Sequence, residues 1–361
     1  MKILYLAAES ANWVISLCNE FCKNGHEVTC VVQDSDEYDK DNSVEEHENL
    51  TRVNVSMEHF FIPAKMKSAL AKELTTKKFD IVFGSHAPVS SSVKEISEMK
   101  GIPWGIMLLD IPKDLMERDR KRMLQWTGWF DMLKYANQII FNTHVARDVY
   151  YDYTKQWFSN DNVITYGTAF KPEYFKAGKD IKGDYIVSMC RLTNVKAVSN
   201  ITIALAPLNV PLKQVVVGRD RGDLENIKYI SNQHSVEIEH YENVTENEKY
   251  ELIKNSAMVI YPQRSEYIGG LNPWEAMYVG KPVICYDYKV LKDLYGNDGV
   301  QYVDKNAGNG LSRKILEVYY LKEEFKDEAF RLNENAEYAA DEASFKTMAE
   351  RMELVFQKMV R

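Results

Sequence analysis

The stretch Ser265-Glu266-Tyr267-Ile268-Gly269-Gly270-Leu271-Asn272-Pro273-Trp274-Glu275-Ala276-Met277 combines groups that could act together on one ligand. Glu266 and Glu275 bracket a paired glycine, Gly269-Gly270. Glycine lets a backbone come close to an anion, and the N–H groups that open a following helix point the same way. Carboxylates accept hydrogen bonds from hydroxyls. The combination suits a hydroxyl-rich ligand carrying a diphosphate, with amides and cations for the phosphates and carboxylates for the sugar. An ordinary strand-to-helix connection would show similar glycines, so the surrounding elements have to decide.

Those elements make a βαβ unit. The apolar run Ala257-Met258-Val259-Ile260-Tyr261 reads as a buried parallel strand. A helix runs to about Val279, Gly280-Lys281-Pro282 ends it, and Val283-Ile284-Cys285-Tyr286 reads as the next strand. Ligands of such units sit at the carboxyl ends of the strands, which is where the glycines fall. The alternation extends through the chain. Met1–Ala8, His26–Val32, Phe79–Phe83, Trp104–Asp110 and Gln138–Asn142 read as strands, with helices over Asn12–Asn24, Ile62–Lys78 and Leu115–Tyr135. Tyr185–Met189, Gln214–Gly218 and Val236–Tyr241 are further strands, and Ser344–Lys358 is an amphipathic helix with Phe345, Met348, Met352 and Phe356 on one face.

At 361 residues the expectation is two domains. A composition of 45% hydrophobic and 27% charged residues is that of a globular protein, and the net charge of −8 speaks against nucleic-acid binding, which needs a basic surface. No apolar run approaches the roughly 18 residues of a membrane span, and the apolar residues after Lys2 read as a first strand rather than a signal peptide. The five cysteines, Cys18, Cys22, Cys30, Cys190 and Cys285, lack zinc-type spacing and read as reduced thiols, so a cytoplasmic location is expected. Asp34-Ser35-Asp36 and Asp39-Lys40-Asp41 could hold a divalent metal, but aspartates are common in loops, and a solvated acidic loop without metal is the expectation. Ile62–Lys78 carries Ile62, Met66, Leu70 and Leu74 on one face and Lys65, Lys67, Lys72, Lys77 and Lys78 elsewhere. It reads as a crossover helix with a solvated basic face, with peripheral contact to an anionic membrane as the alternative.

The glycine stretch resembles the donor-site signature of family-4 retaining glycosyltransferases of the GT-B fold. In that family seven residues separate two glutamates around the loop; here eight separate Glu266 from Glu275, and the first glutamate position, counted back from Glu275-Ala276-Met277, falls on Tyr267. Cys190-Arg191-Leu192-Thr193-Asn194-Val195-Lys196 resembles the family's Gly-Arg motif with a lysine five residues on, Cys190 replacing the glycine. The strand, helix and Gly25-His26-Glu27-Val28 opening is similar to the family's first domain, with Glu9-Ser10-Ala11-Asn12 where paired glycines are usual. Asp110 matches an aspartate that ends a strand there, and Leu109 stands where the family often has a histidine.

The resemblance implies an α/β protein with the GT-B fold: two Rossmann-like domains facing across a cleft. Residues 1–168 would form the acceptor side, 169–342 the nucleotide-sugar side, and 343–361 a helix returning to the first domain, with Lys176–Gly183 as a polar connection. It implies transfer of a sugar from a nucleotide-diphosphate sugar to an acceptor hydroxyl on a glycan, lipid or small molecule, with retention and without metal or other cofactor. Arg191 and Lys196 would hold and stabilise the leaving diphosphate, aided by the Gly270 and Leu271 amides. Glu275 would take the ribose hydroxyls, although a carboxylate there also suits the helix dipole. Glu266 or Tyr267 would meet the donor sugar. Gly269, Gly218 and Tyr241 complete the donor side, Tyr241 either stacking on the base or packing as an ordinary aromatic. Asn12, His86 and Asp110 lie on the acceptor side, His86 either binding acceptor or capping the next helix. Trp126, Trp129 and Phe130 read as core. Two rival readings are a GT-B nucleotide-sugar epimerase and a catalytically silent nucleotide-sugar or glycan binder, the latter motivated by Leu109 and the offset glutamate.

Overall fold

Apolar runs bounded by polar residues become parallel strands in the computed structural model, which describes residues 1–8, 11–34, 44–109, 123–178, 183–265, 269–296 and 299–361. The chain divides into two units, Met1–Ala169 with Ser344–Arg361, and Phe170–Ala343. The first holds strands β1 (Lys2–Ala7), β2 (Glu27–Gln33), β3 (Leu50–Val55), β4 (Ile81–Ser85), β5 (Trp104–Leu108), β6 (Gln138–Phe141) and β7 (Asp161–Val163), in the order β3-β2-β1-β4-β5-β6-β7. All pairings are parallel, β1 meeting β2 at Lys2 opposite Glu27 and β4 at Ile3 opposite Ile81. The central strands are buried on both faces, hence their unbroken apolar sequences.

Helices cover this sheet. Helix Ala11–Lys23 turns Val14, Leu17, Cys18 and Phe21 inward. It stops at Gly25, whose φ of 86° is the left-handed conformation such a stop requires. Helix Phe345–Met359 belongs to this same unit, as expected for a returning C-terminal helix. Ser344 caps it, its Oγ accepting from the Thr347 N–H at 3.1 Å. Phe345, Met348, Met352 and Phe356 are buried, and the Phe356 ring lies 5.4 Å from that of Phe21 and 5.0 Å from that of Phe83.

The expected single helix over Ile62–Lys78 is broken. Met57–Phe61 ends before Pro63, which has no N–H to continue it and instead opens Pro63–Ala69. A second break at Leu70 starts Ala71–Thr76. Met66, Leu70 and Leu74 lie in the core while Ile62 is exposed, and Lys65 and Lys67 pair with Glu58 and Glu95. The apolar face that a membrane would need is therefore used inside the protein. Of Leu115–Tyr135, the described part is a helix, Met123–Met132, followed by a 3-10 turn, Leu133–Tyr135; Trp126, Trp129 and Phe130 are buried as expected. Among the described residues no helix is long and apolar enough to cross a membrane.

The second unit repeats the design with β8 (Tyr185–Met189), β9 (Lys213–Val217), β10 (Ile238–Tyr241), β11 (Met258–Tyr261), β12 (Val283–Tyr286) and β13 (Gln301–Val303), ordered β10-β9-β8-β11-β12-β13 and parallel throughout. Part of the expected polar connection instead docks on this unit. Lys176 N–H donates to the Tyr278 carbonyl at 3.0 Å and Gly178 N–H to that of Val279 at 2.9 Å. Residues 179–182 lie outside those described. All five cysteines are free thiols, four of them buried.

Both sheets are doubly wound, so each has one place where neighbouring strands send their connections opposite ways. That place is β1/β4 in the first unit and β8/β11 in the second. Crevices of this kind at the carboxyl ends of strands are where ligands bind in open α/β sheets.

Candidate functional site

At the second unit's switch point, β8 runs into Cys190-Arg191 and β11 into Pro262-Gln263-Arg264. The turn after β8 is held against the end of β9. Cys190 N–H donates to the Val217 carbonyl at 2.9 Å, Leu192 N–H to Arg219, and Arg221 N–H back to Leu192. Gly218 owes its identity to this contact. Its φ is 142°, and a Cβ there would stand 2.1 Å from the Cys190 carbonyl oxygen. The exposed Arg191 and the half-buried Lys196 both act electrostatically on the Cys190 thiol. Burial pushes that thiol up to about 11 and the two cations oppose the rise.

Lys196 ends a short 3-10 turn, Asn194–Lys196, and its ammonium is oriented by β11. Nζ donates to the Tyr261 hydroxyl at 3.1 Å and to Gln263 Oε1, and sits 5.3 Å from the Tyr261 ring centroid. The Tyr261 hydroxyl donates to the same Gln263 oxygen. Arg264 joins the cations: its N–H donates to the Val195 carbonyl at 2.8 Å, and its guanidinium to Asn200 Oδ1 at 3.2 Å. The arrangement gathers positive charge at the end of the sheet where the glycine loop begins.

The loop itself is wedged. Gly270 N–H donates to the Tyr295 hydroxyl at 2.8 Å, and that hydroxyl donates back to the Gly270 carbonyl at 2.7 Å. The Gly270 amide expected to face a diphosphate is thus already engaged, a correction to the reading from sequence. A Cβ on Gly269 would meet the Leu294 side chain at 2.2 Å, and one on Gly270 the Tyr261 hydroxyl at 2.4 Å. Helix Asn272–Val279 follows, with a proline in its first turn, where a missing N–H costs nothing. The helix is anchored by Trp274, fully buried against Tyr295 and Tyr338.

Glu275, in the first turn of that helix, is 3% exposed. Its Oε1 accepts from Lys249 Nζ at 2.9 Å, and Lys249 also pairs with Glu246 at 2.7 Å. Burial alone would push the Lys249 ammonium down, but the charges of Glu275 and Glu246 outweigh it and hold its pKa up. Tyr241, at the end of the edge strand β10, is 39% exposed and donates to Glu239 at 2.9 Å. Glu266, Tyr267 and Asp110 lie outside the described residues, as do all but Asp34 of the two Asp-x-Asp triplets.

In the first unit, His86 follows β4 and Asn12 lies in the first turn of the helix after β1, so the two flank the β1/β4 switch point. His86 has φ 72° and ψ 142°, a backbone conformation costly for a residue with a Cβ. Its N–H donates to the Met107 carbonyl at 2.9 Å. Its side chain makes no capping bond to the following turn, which removes the capping alternative. Beneath it the Tyr5 and Ser85 hydroxyls join β1 to β4 at 2.6 Å.

Sequence reasoning missed Tyr261, Gln263, Arg264, Tyr295 and Lys249. Gln263 and Arg264 carried one signal, polar residues directly after Pro262 at a strand end. Tyr295 and Lys249 carried none, since each meets its partner across at least 25 residues of chain.

Residues 170–337 match the family described as Glycosyl transferases group 1. No curated protein matches the chain by sequence. Among solved structures, sucrose-phosphate synthase from Thermosynechococcus elongatus superposes with a TM-score of 0.79 at 13% identity, covering 99% of each chain. HepE from Anabaena, in complex with UDP and glucose, gives 0.78 at 14% identity, again over 99% of each chain. The catalytic domain of starch synthase IV from Arabidopsis thaliana, bound to ADP and acarbose, gives 0.72 at 14% identity over 100% of this chain and 99% of that one. The chain has a GT-B glycosyltransferase fold, and its second unit carries the group 1 match.

Proposed function

We propose that this protein transfers a sugar from a nucleotide-diphosphate sugar to an acceptor hydroxyl, with retention at the anomeric carbon and without a metal ion. The observation that carries the reading is the meeting of Arg191, Lys196 and the Gly269-Gly270 loop at the switch point of the unit that matches group 1 glycosyltransferases. Cleavage of the bond between the anomeric carbon and the diphosphate oxygen puts negative charge on the diphosphate. Arg191 offers a planar fork of donors and Lys196 a point charge, so both stabilise that charge more as it develops. The leaving diphosphate can take the acceptor's proton, which removes the need for a separate protein base. Glu266 or Tyr267 faces the donor sugar in this reading, and Asn12, His86 and Asp110 serve the acceptor. Five reduced cysteines fit a cytoplasmic enzyme drawing on a soluble nucleotide-sugar pool.

HepE with UDP and starch synthase IV with ADP make uridine and adenine nucleotides the first donors to try. The test is a thermal-shift screen against UDP, GDP, ADP and their sugars, followed by donor-hydrolysis and transfer assays and NMR of the product's anomeric configuration. A melting shift with one diphosphate and turnover of its sugar is expected. No shift and no turnover with any donor would overturn the proposal. Binding without turnover would instead favour a silent binder, the reading that Leu109 motivates. If Glu266 meets the sugar, Glu266→Gln should depress transfer far more than nucleotide binding, because that contact matters most as charge develops on the ring; full turnover in that variant would leave the role to Tyr267 or to neither.

A further inference from the structure

We infer that Tyr261, Gln263 and Tyr295 are positioning residues that fix Lys196 and the glycine loop against one another, so that the diphosphate subsite is set by two buried tyrosine hydroxyls. The inference rests on the donor-site reading above and names residues that the sequence motifs do not contain.

The Tyr261 hydroxyl lies at the centre. It accepts from Lys196 Nζ at 3.1 Å, donates to Gln263 Oε1, and occupies the space that a Gly270 side chain would need. Gln263, 2% exposed, takes a second bond from the Lys196 ammonium. Both of these partners are neutral, so they orient the ammonium without cancelling its charge. On the loop's other side Tyr295, fully buried, closes a two-way hydrogen bond on Gly270, 2.8 Å from its N–H and 2.7 Å to its carbonyl. A phenol has one proton to give, and in each tyrosine it is committed, to Gln263 or to Gly270. Burial raises both phenols well above their ordinary range, so the protons stay in place. A shift of Gly270 therefore moves the Tyr261 hydroxyl, and a shift of that hydroxyl moves Lys196.

The test is titration calorimetry of UDP, UMP, GDP, GMP, ADP and AMP with the full chain. Wild-type protein should prefer the diphosphate. Tyr261→Phe should weaken the preferred diphosphate roughly tenfold, the scale of one charged hydrogen bond, and leave its monophosphate within about twofold. Tyr261→Phe combined with Lys196→Ala should bind no worse than Lys196→Ala alone, since the tyrosine acts through the lysine. Tyr295→Phe should cost the Gly270 amide its hydrogen-exchange protection in the ligand-free protein. Should Tyr261→Phe fail to fold, Gln263→Met removes the shared acceptor and must show the same selective loss. Equal losses for mono- and diphosphate, or additive losses in the double variant, would reduce these residues to general packing and overturn the inference. A wild-type protein with no diphosphate preference would bring down the donor-site reading itself, and this inference with it.

Discussion

Lys249 Nζ lies 2.9 Å from Glu275 Oε1, joining the helices Glu246–Lys254 and Asn272–Val279 through an ion pair whose carboxylate is 3% exposed. A buried pair of this kind gains little over well-packed apolar residues, yet losing one member strands the other's charge. Lys249→Met should destabilise the second unit by about 3–5 kcal/mol, and Lys249→Met with Glu275→Leu should recover most of that. Urea denaturation reads both. A Lys249→Met protein as stable as wild type would mean the pair is not buried in solution. Glu275→Gln adds a functional readout: if the carboxylate also meets ribose, preference for UDP over 2′-deoxy-UDP falls, and if that preference survives, Glu275 serves Lys249 alone.

Lys196→Ala should weaken diphosphate binding or transfer by about 2–4 kcal/mol, the scale for removing one charge-stabilising group. Unchanged donor affinity and unchanged turnover in that variant would take Lys196 out of the site.

Transfer should persist in excess EDTA, because the charge on the leaving group is met by Arg191 and Lys196. Activity that disappears on chelation and returns with manganese would contradict the proposed mechanism.

Asp220 offers a pH test. The backbone N–H groups of Gly222, Leu224 and Asp223 donate to its Oδ1 at 2.8, 3.2 and 3.1 Å and hold its carboxyl below the usual range. A depressed folded-state pKa means that the ionised form is the stabilising one. Its contribution is complete above the unfolded value of about 3.9 and is lost as pH falls through the folded value. The melting gap between wild type and Asp220→Ala should therefore stay constant from neutral pH to about pH 5 and close below that. A gap that widens in acid would contradict the assignment.

The central strands were legible because they are short apolar runs buried on both faces; Tyr185–Met189 and Val283–Tyr286 came out with their observed bounds. Leu50–Val55 and Gln301–Val303, mixed in composition and only partly buried, were not read as strands. The terminal helix was legible from Phe345, Met348, Met352 and Phe356, which one face must bury together. Ile62–Lys78 misled because a helical spacing of apolar residues survives a break: Met66, Leu70 and Leu74 reach the core although Leu70 sits between two helices. In the site, Arg191, Lys196 and the glycines were visible as local motifs. What engages them was not, since the partners of Gly270 and Glu275 come from Tyr295 and Lys249, brought close only by the fold. Gly218 shows the converse case, a glycine that motif logic gives to a ligand and that packing against Cys190 already requires.

The helix Phe345–Met359 is made after Phe170–Ala343 but completes the unit that comes before it. Phe356 covers Phe21 and Phe83, so those rings lack this cover until the helix has left the ribosome. By then the whole of Phe170–Ala343 has been synthesised. The first unit must wait with an apolar flank uncovered, the condition in which nascent chains aggregate or recruit chaperones. Deleting Phe345–Met359 would thus injure the unit built on Met1–Ala169 and leave Phe170–Ala343 intact.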